Sequence, residues 1–137
     1  MKNVFLYIWQ LPQNLLGLIL LLWYKLFDSY GFYQYAKEGN IAFYRTHLMP
    51  SGISLGKYVI MRHAWTKHYK AYRHEFGHTK QSKMLGPLYL FVIGIPSLIG
   101  NIIDRLFHKN WSYEKQEAWY YNQPWEKWAD KLGNVTR

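Results

Sequence analysis

The chain has 137 residues and no cysteine, so one domain is expected, and disulfides, thiolate metal sites and cysteine nucleophiles are excluded. A hydrophobic content of 50% excludes a disordered chain. Lys and Arg number 17 against 8 acids, a formal charge of +9, and aromatic residues reach 20%, with 7 Trp and 13 Tyr.

The charges are segregated. No side chain from Asn3 to Tyr24 or from Met84 to Ile103 is ionisable to a full charge at neutral pH. At about 1.5 Å per residue, either block approaches the roughly 30 Å of a hydrocarbon core. Apolar blocks flanked by basic, Trp- and Tyr-rich segments read as a membrane protein with an aromatic belt.

Taken in chain order, residues 1–27 read as an N-terminal membrane segment. Pro12 suits a first helical turn, so its main helix is expected from Pro12 to about Phe27. Residues 28–40 are polar and close on Glu38-Gly39-Asn40, a turn signal. Within 41–62, the runs Ile41–Thr46, Gly52–Leu55 and Lys57–Met61 lie between Gly and Pro and read as short strands. From 66 to 85 the spacing turns helical, with Thr66 as cap and Trp65, Tyr69, Tyr72 and Phe76 along one face. Residues 86–103 form the second apolar block, broken at Gly94-Ile95-Pro96. The tail, 111–137, is polar and aromatic, with a helix over Trp125–Leu132. The fold class is α+β, mainly α.

The chemistry lies on the middle helix. His74-Glu75-Phe76-Gly77-His78 is an H-E-x-x-H motif. Two imidazoles at i and i+4 share a helix face and can reach one metal ion, with zinc at about 2.0–2.1 Å the natural occupant. Glu75, one residue on, is the candidate general base. A catalytic zinc takes three protein ligands and keeps one position open. The third must be His, Glu or Asp. His47, His63, His68 and His108 are available, and Glu114, Glu117, Glu126 and Asp130 lie downstream. Glu126 is favoured because Asp130 follows at i+4 and can orient a ligating histidine; Glu117 is the alternative third ligand.

These residues resemble the gluzincin, or thermolysin-like, group of zinc metallopeptidases, which pairs H-E-x-x-H with a downstream Glu-x-x-x-Asp. The resemblance implies a zincin-like motif helix. It makes His74, His78 and Glu126 the zinc ligands, Glu75 the general base and Asp130 the residue orienting a histidine. The stretch His74 to Pro96, with Leu85-Gly86-Pro87-Leu88-Tyr89, together with Pro12-Gln13-Asn14 and Ser54-Leu55-Gly56, is similar to small uncharacterised bacterial membrane proteins with a zincin-like motif. That second resemblance implies the bacterial inner membrane as location.

Topology adds a constraint. If Met84–Ile103 crossed the bilayer, His74 and Glu126 would be separated, so a re-entrant helical hairpin bent at Gly94-Ile95-Pro96 is expected. The positive-inside rule then puts the basic middle segment, and the motif with it, on the cytoplasmic side. The function expected is a membrane-associated zinc hydrolase, foremost a metallopeptidase with a peptide or protein substrate. The alternative is a non-catalytic basic membrane protein with a structural zinc site or no metal. Lipid is the expected partner. Nucleic acid is not, because the basic residues adjoin apolar blocks and serve as interface charge.

Overall fold

Alternation of side chains decides the centre of the molecule. In a computed structural model describing residues 1–137, β1 (Tyr33–Glu38), β2 (Ile41–Thr46), β3 (Gly52–Leu55) and β4 (Tyr58–Arg62) form one sheet in the order β1-β2-β4-β3. β2 and β4 run parallel, and the two outer pairings are antiparallel. Ile41, Phe43, Val59 and Met61 point to one face, where Trp65, Ala71, Tyr72 and Phe76 cover them. Ile60 points to the other, against Leu21 and Met49. A period of two thus buries a helix on each face.

The helix on the first face is α3 (Tyr69–Leu85), which carries the motif. On the second face lie α1 (Lys2–Trp9) and α2 (Leu11–Phe27), bent by 84° at Gln10. Gln10, Gln13 and Asn14 are buried at this corner, and each is bonded. Gln13 donates to Ser82 Oγ and the Gly86 carbonyl, Gln10 accepts from Ser82, and Asn14 donates to the Tyr7 carbonyl and accepts from the Lys57 amide. Gly56, at φ +64°, makes the β3–β4 turn where Asn14 docks.

Past Gly86-Pro87 the chain enters a single apolar rod. A π-helical turn, Leu90–Gly94, runs directly into α4 (Ile95–Phe107). The rod Leu90–Phe107 is long and apolar enough to cross a membrane, with a mean hydropathy of 1.6 and only 11% of that stretch buried. Then α5 (Tyr113–Tyr121) and α6 (Pro124–Gly133) return the tail to α3. Gly77 touches the backbone of Ala129, and Gly133 that of Arg73, where any Cβ would collide. The α3–α6 pair is therefore in backbone contact.

The architecture is α+β and mainly helical, with several departures from the sequence reading. No hairpin forms at Gly94-Ile95-Pro96. Pro96 sits in the first turn of α4, where its missing N–H costs little, and a π-turn absorbs the irregularity. The reversal occurs earlier, at Gly86. Residues 33–38, read as part of a polar connection, form β1, an edge strand with few apolar residues. Helix α3 starts at Tyr69 rather than near Thr66, because His63–Trp65 first makes a 3-10 turn. Tyr69 is exposed and leaves the Tyr72–Phe76 face. Helix α5 was also not anticipated.

Candidate metal centre

Helix α3 places His74 and His78 on one face, and the close α3–α6 contact brings Glu126 over them. His74 Nε2, His78 Nε2 and Glu126 Oε2 form a triangle with all three sides 3.1 Å. All three residues are buried, Glu126 completely. Their three ligand atoms could hold one metal ion, and the triangle is within the span that an ion at about 2.0–2.2 Å from each would bridge.

The far side of each residue fixes what the near side can offer. His74 Nδ1 donates to Asp130 Oδ1 at 2.7 Å. His78 Nδ1 donates to Gln81 Oε1, also at 2.7 Å. The direction of the second bond follows from Gln81 Nε2, which donates to the Trp125 carbonyl and so turns the amide oxygen towards the ring. Ser97 on α4 donates to Glu126 Oε1 at 2.5 Å. Both imidazoles therefore aim Nε2 at the centre, and one carboxylate oxygen joins them. Three nitrogen and oxygen atoms that close favour a positive charge among them, either a proton on an imidazole or a metal ion. A proton can bridge only one pair, whereas a metal ion serves all three.

The electrostatics agree. Burial works against a charged His74, but hydrogen bonds from its ring to Asp130 and Glu126 prevail and push its pKa up to about 9. Burial likewise opposes ionisation of Glu126, yet the bonds to His74 and His78 hold its carboxyl far below the usual range. For Asp130, burial is outweighed by His74 and by Arg137, whose Nε donates at 2.7 Å, so its pKa is lowered.

Glu75 lies beside this triangle without joining it. Its Oε2 accepts from Ser54 Oγ at 2.6 Å, and it is 7% exposed. Glu75, His74 and His78 line one cleft of about 970 Å³. Its walls include apolar side chains, Ile53 from β3, Leu16 from α2, and Phe91, Ile95 and Leu98 from the α4 rod, alongside polar ones such as Arg62, Asn101, Arg105 and Gln116. Tyr120 and Tyr121 also line it, and Tyr121 meets the edge of the His74 ring at 4.9 Å between centroids. Burial pushes both hydroxyls well above the ordinary tyrosine value, so both stay protonated at neutral pH.

Of the other candidates, Glu117 does not reach the triangle; its carboxylate pairs with Arg137 at 3.0 Å. His47 lies 3.6 Å from Asp28 with the His63 ring tilted against it, and His108 pairs with Asp104. His68 is the residue before α3 and is exposed. Sequence reasoning missed Ser54, Gln81 and Ser97. Gln81 alone carried a signal, standing one helical turn after His78. No protein-family model matches the chain, and no curated protein or solved structure does either.

Proposed function

We propose that the chain is a membrane-associated, zinc-dependent hydrolase, foremost a metallopeptidase, with His74, His78 and Glu126 as ligands and Glu75 as general base. The observation that carries this reading is the orientation of the two imidazoles. With Nδ1 of each committed to Asp130 and Gln81, both Nε2 atoms and Glu126 Oε2 converge at 3.1 Å. Three converging ligands beside a cleft, with no fourth histidine or carboxylate among them, support an open rather than a closed site. Zinc held there supplies a Lewis acid that acidifies water and polarises a carbonyl.

The chain's own groups do the rest. Ser54 holds Glu75 Oε2, leaving Oε1 to accept a proton from the attacking water and return it to the leaving amine. Asp130 and Gln81 keep the ring tautomers, and Ser97 keeps Glu126 turned towards the histidines. Tyr120 and Tyr121 carry protonated hydroxyls on the same cleft as donors for a substrate carbonyl. The apolar walls select peptide segments with apolar side chains. The rod Leu90–Phe107 and the α1–α2 pair anchor the chain in the bilayer, with the motif towards the cytoplasmic side.

The test is elemental analysis of protein purified without chelator. About one zinc per chain is expected, lost in His74→Ala and His78→Ala and kept in His68→Ala. Wild-type protein without metal overturns the reading.

A further inference from the structure

A second cavity, far from the histidines, has its own chemistry. It lies on the α1–α2 side of the sheet, has a volume of about 410 Å³, and is lined by 11 residues without a single carboxylate. Strand register builds its floor: Lys37 pairs with Ala42 and Ala42 with Tyr58, so a methyl group sits between an ammonium and a phenol. Lys57 stands at the edge, its Nζ 4.8 Å from the Tyr7 ring centre and 5.0 Å from that of Tyr58. Neither lysine has a salt-bridge partner. Glu38, the acid next to Lys37, turns away and bonds Tyr72 and Arg73.

Helix α1 roofs this pocket the wrong way round for a water-facing helix. Asn3, Tyr7 and Gln10, a stripe at i, i+4 and i+7, face the pocket. Val4, Phe5 and Ile8 point outward and are 63%, 66% and 62% exposed. An amphipathic helix with its apolar stripe outward and its polar stripe inward belongs at the surface of a bilayer, with its apolar side in the acyl boundary. The 84° bend at Gln10 lets α2, with Leu18, Ile19 and Leu22 exposed, run steeply away from it. The pocket beneath α1 then lies at the depth of lipid headgroups.

We propose that this pocket binds the phosphate headgroup of an anionic phospholipid, with Lys37 and Lys57 as its cationic contacts and Ala42 as its floor. Two lysines without acids supply the charge, the Asn and Tyr side chains supply neutral donors, and the outward stripe of α1 lies alongside the acyl chains. This site does not depend on the metal reading.

The test uses the full chain in a neutral detergent. The probes are dihexanoylphosphatidylglycerol below its micelle-forming concentration, dihexanoylphosphatidylcholine, and inorganic phosphate. Saturable binding is expected for the first probe, at least about tenfold tighter than for either other. Lys37→Gln, on an exposed strand position, weakens it about fivefold, since a juxtamembrane basic residue contributes roughly that factor. Lys37→Gln/Lys57→Gln weakens it about 25-fold on the same scale. Ala42→Leu fills the floor without changing charge and abolishes binding. Zinc content and far-UV circular dichroism stay at wild-type values throughout. The proposal is overturned by absence of saturable binding, by wild-type affinity in Lys37→Gln and Ala42→Leu, or by equal affinity for inorganic phosphate, which marks a site for free anions.

Discussion

Glu75 and Glu126 are both buried carboxylates near the same two histidines, and their partners separate their work. Glu126 has Oε1 occupied by Ser97 and Oε2 turned to both Nε2 atoms, whereas Glu75 has one oxygen on Ser54 and stands outside the triangle. Glu126→Ala is therefore expected to lose zinc, while Glu75→Gln keeps zinc and the fold and loses hydrolysis. Asp130→Ala and Gln81→Ala each release one ring and weaken zinc by about 10–100-fold. Zinc titration of the four variants checks the metal binding, and a peptide-hydrolysis assay with circular dichroism of Glu75→Gln checks the rest. If Glu75→Gln loses zinc as His74→Ala does, Glu75 is a ligand and the base must be sought elsewhere. The His74, Glu75 and His78 set was legible because helical periodicity alone brings i and i+4 together. Glu126 was legible through its i+4 acid. Ser54 and Ser97 were not, since only the packing of β3 and α4 on the motif gives those hydroxyls their partners.

Elements transmit these positions. Glu126 and Asp130 reach the motif because α6 lies in backbone contact with α3 at Gly77 and Gly133. Gly77→Ala puts a methyl group into the Ala129 carbonyl and drives the helices apart. A loss of about 1–3 kcal/mol is expected from overpacking, together with weakened zinc binding, measured by thermal unfolding and metal titration. Gly39→Ala, at a turn with nothing within 4 Å of where its Cβ would lie, affects stability through its φ of +62° alone and leaves zinc untouched.

The end of α2 is fixed by another polar contact. Asp28 Oδ2 accepts from Thr46 Oγ1 at 2.6 Å and from the His47 amide at 2.7 Å. Burial, the largest single influence, pushes its pKa up, but these two bonds and the neighbouring His47 ring together outweigh it and leave the pKa lowered. The stabilisation is therefore present above the ordinary carboxyl value near 3.9 and fades as pH falls through the lowered one. Asp28→Ala leaves the buried Thr46 hydroxyl, which still accepts from the Leu48 amide, without an acceptor for its own proton and is expected to cost about 1–3 kcal/mol near neutral pH. The difference from wild type narrows in acid, as equilibrium unfolding at several pH values would show.

Strands β2, β3 and β4 were legible at this scale because Gly and Pro turn residues bound short runs rich in apolar and β-branched residues. β1 and α5 were not: each is short and polar, and each is ordered by its neighbours. The broken look of Gly94-Ile95-Pro96 misled for a related reason, since a proline in the first turn of a helix is compatible with continuous helix.

Around the buried apolar sheet, most large apolar side chains of α1, α2 and the Leu90–Phe107 rod face outward. Residues of the Leu90–Phe107 rod that face the cleft include Ser97 and Asn101, whereas Val92, Ile99, Leu106 and Phe107 lie outside it and are 47%, 50%, 62% and 74% exposed. Such a face is covered by hydrocarbon in a membrane protein and is a solubility liability in water. Ser97 stands about 10 Å along the rod from Leu90 at 1.5 Å per residue, and it touches Glu126. A rod crossing the bilayer would therefore carry the metal centre at the depth of the apolar layer. Ile99→Arg tests this reading without touching the cleft. In a bilayer, a charge near mid-helix costs about 2.5–3.5 kcal/mol on insertion scales, so the variant is expected to shift from the carbonate-resistant membrane fraction towards the soluble or degraded one. In water, an arginine at a half-exposed helix position is tolerated and improves solubility. Fractionation of wild type and Ile99→Arg side by side separates the two. A wild-type chain that stays soluble without detergent, with Ile99→Arg equally soluble and equally loaded with zinc, would overturn the membrane reading and leave the metal centre standing.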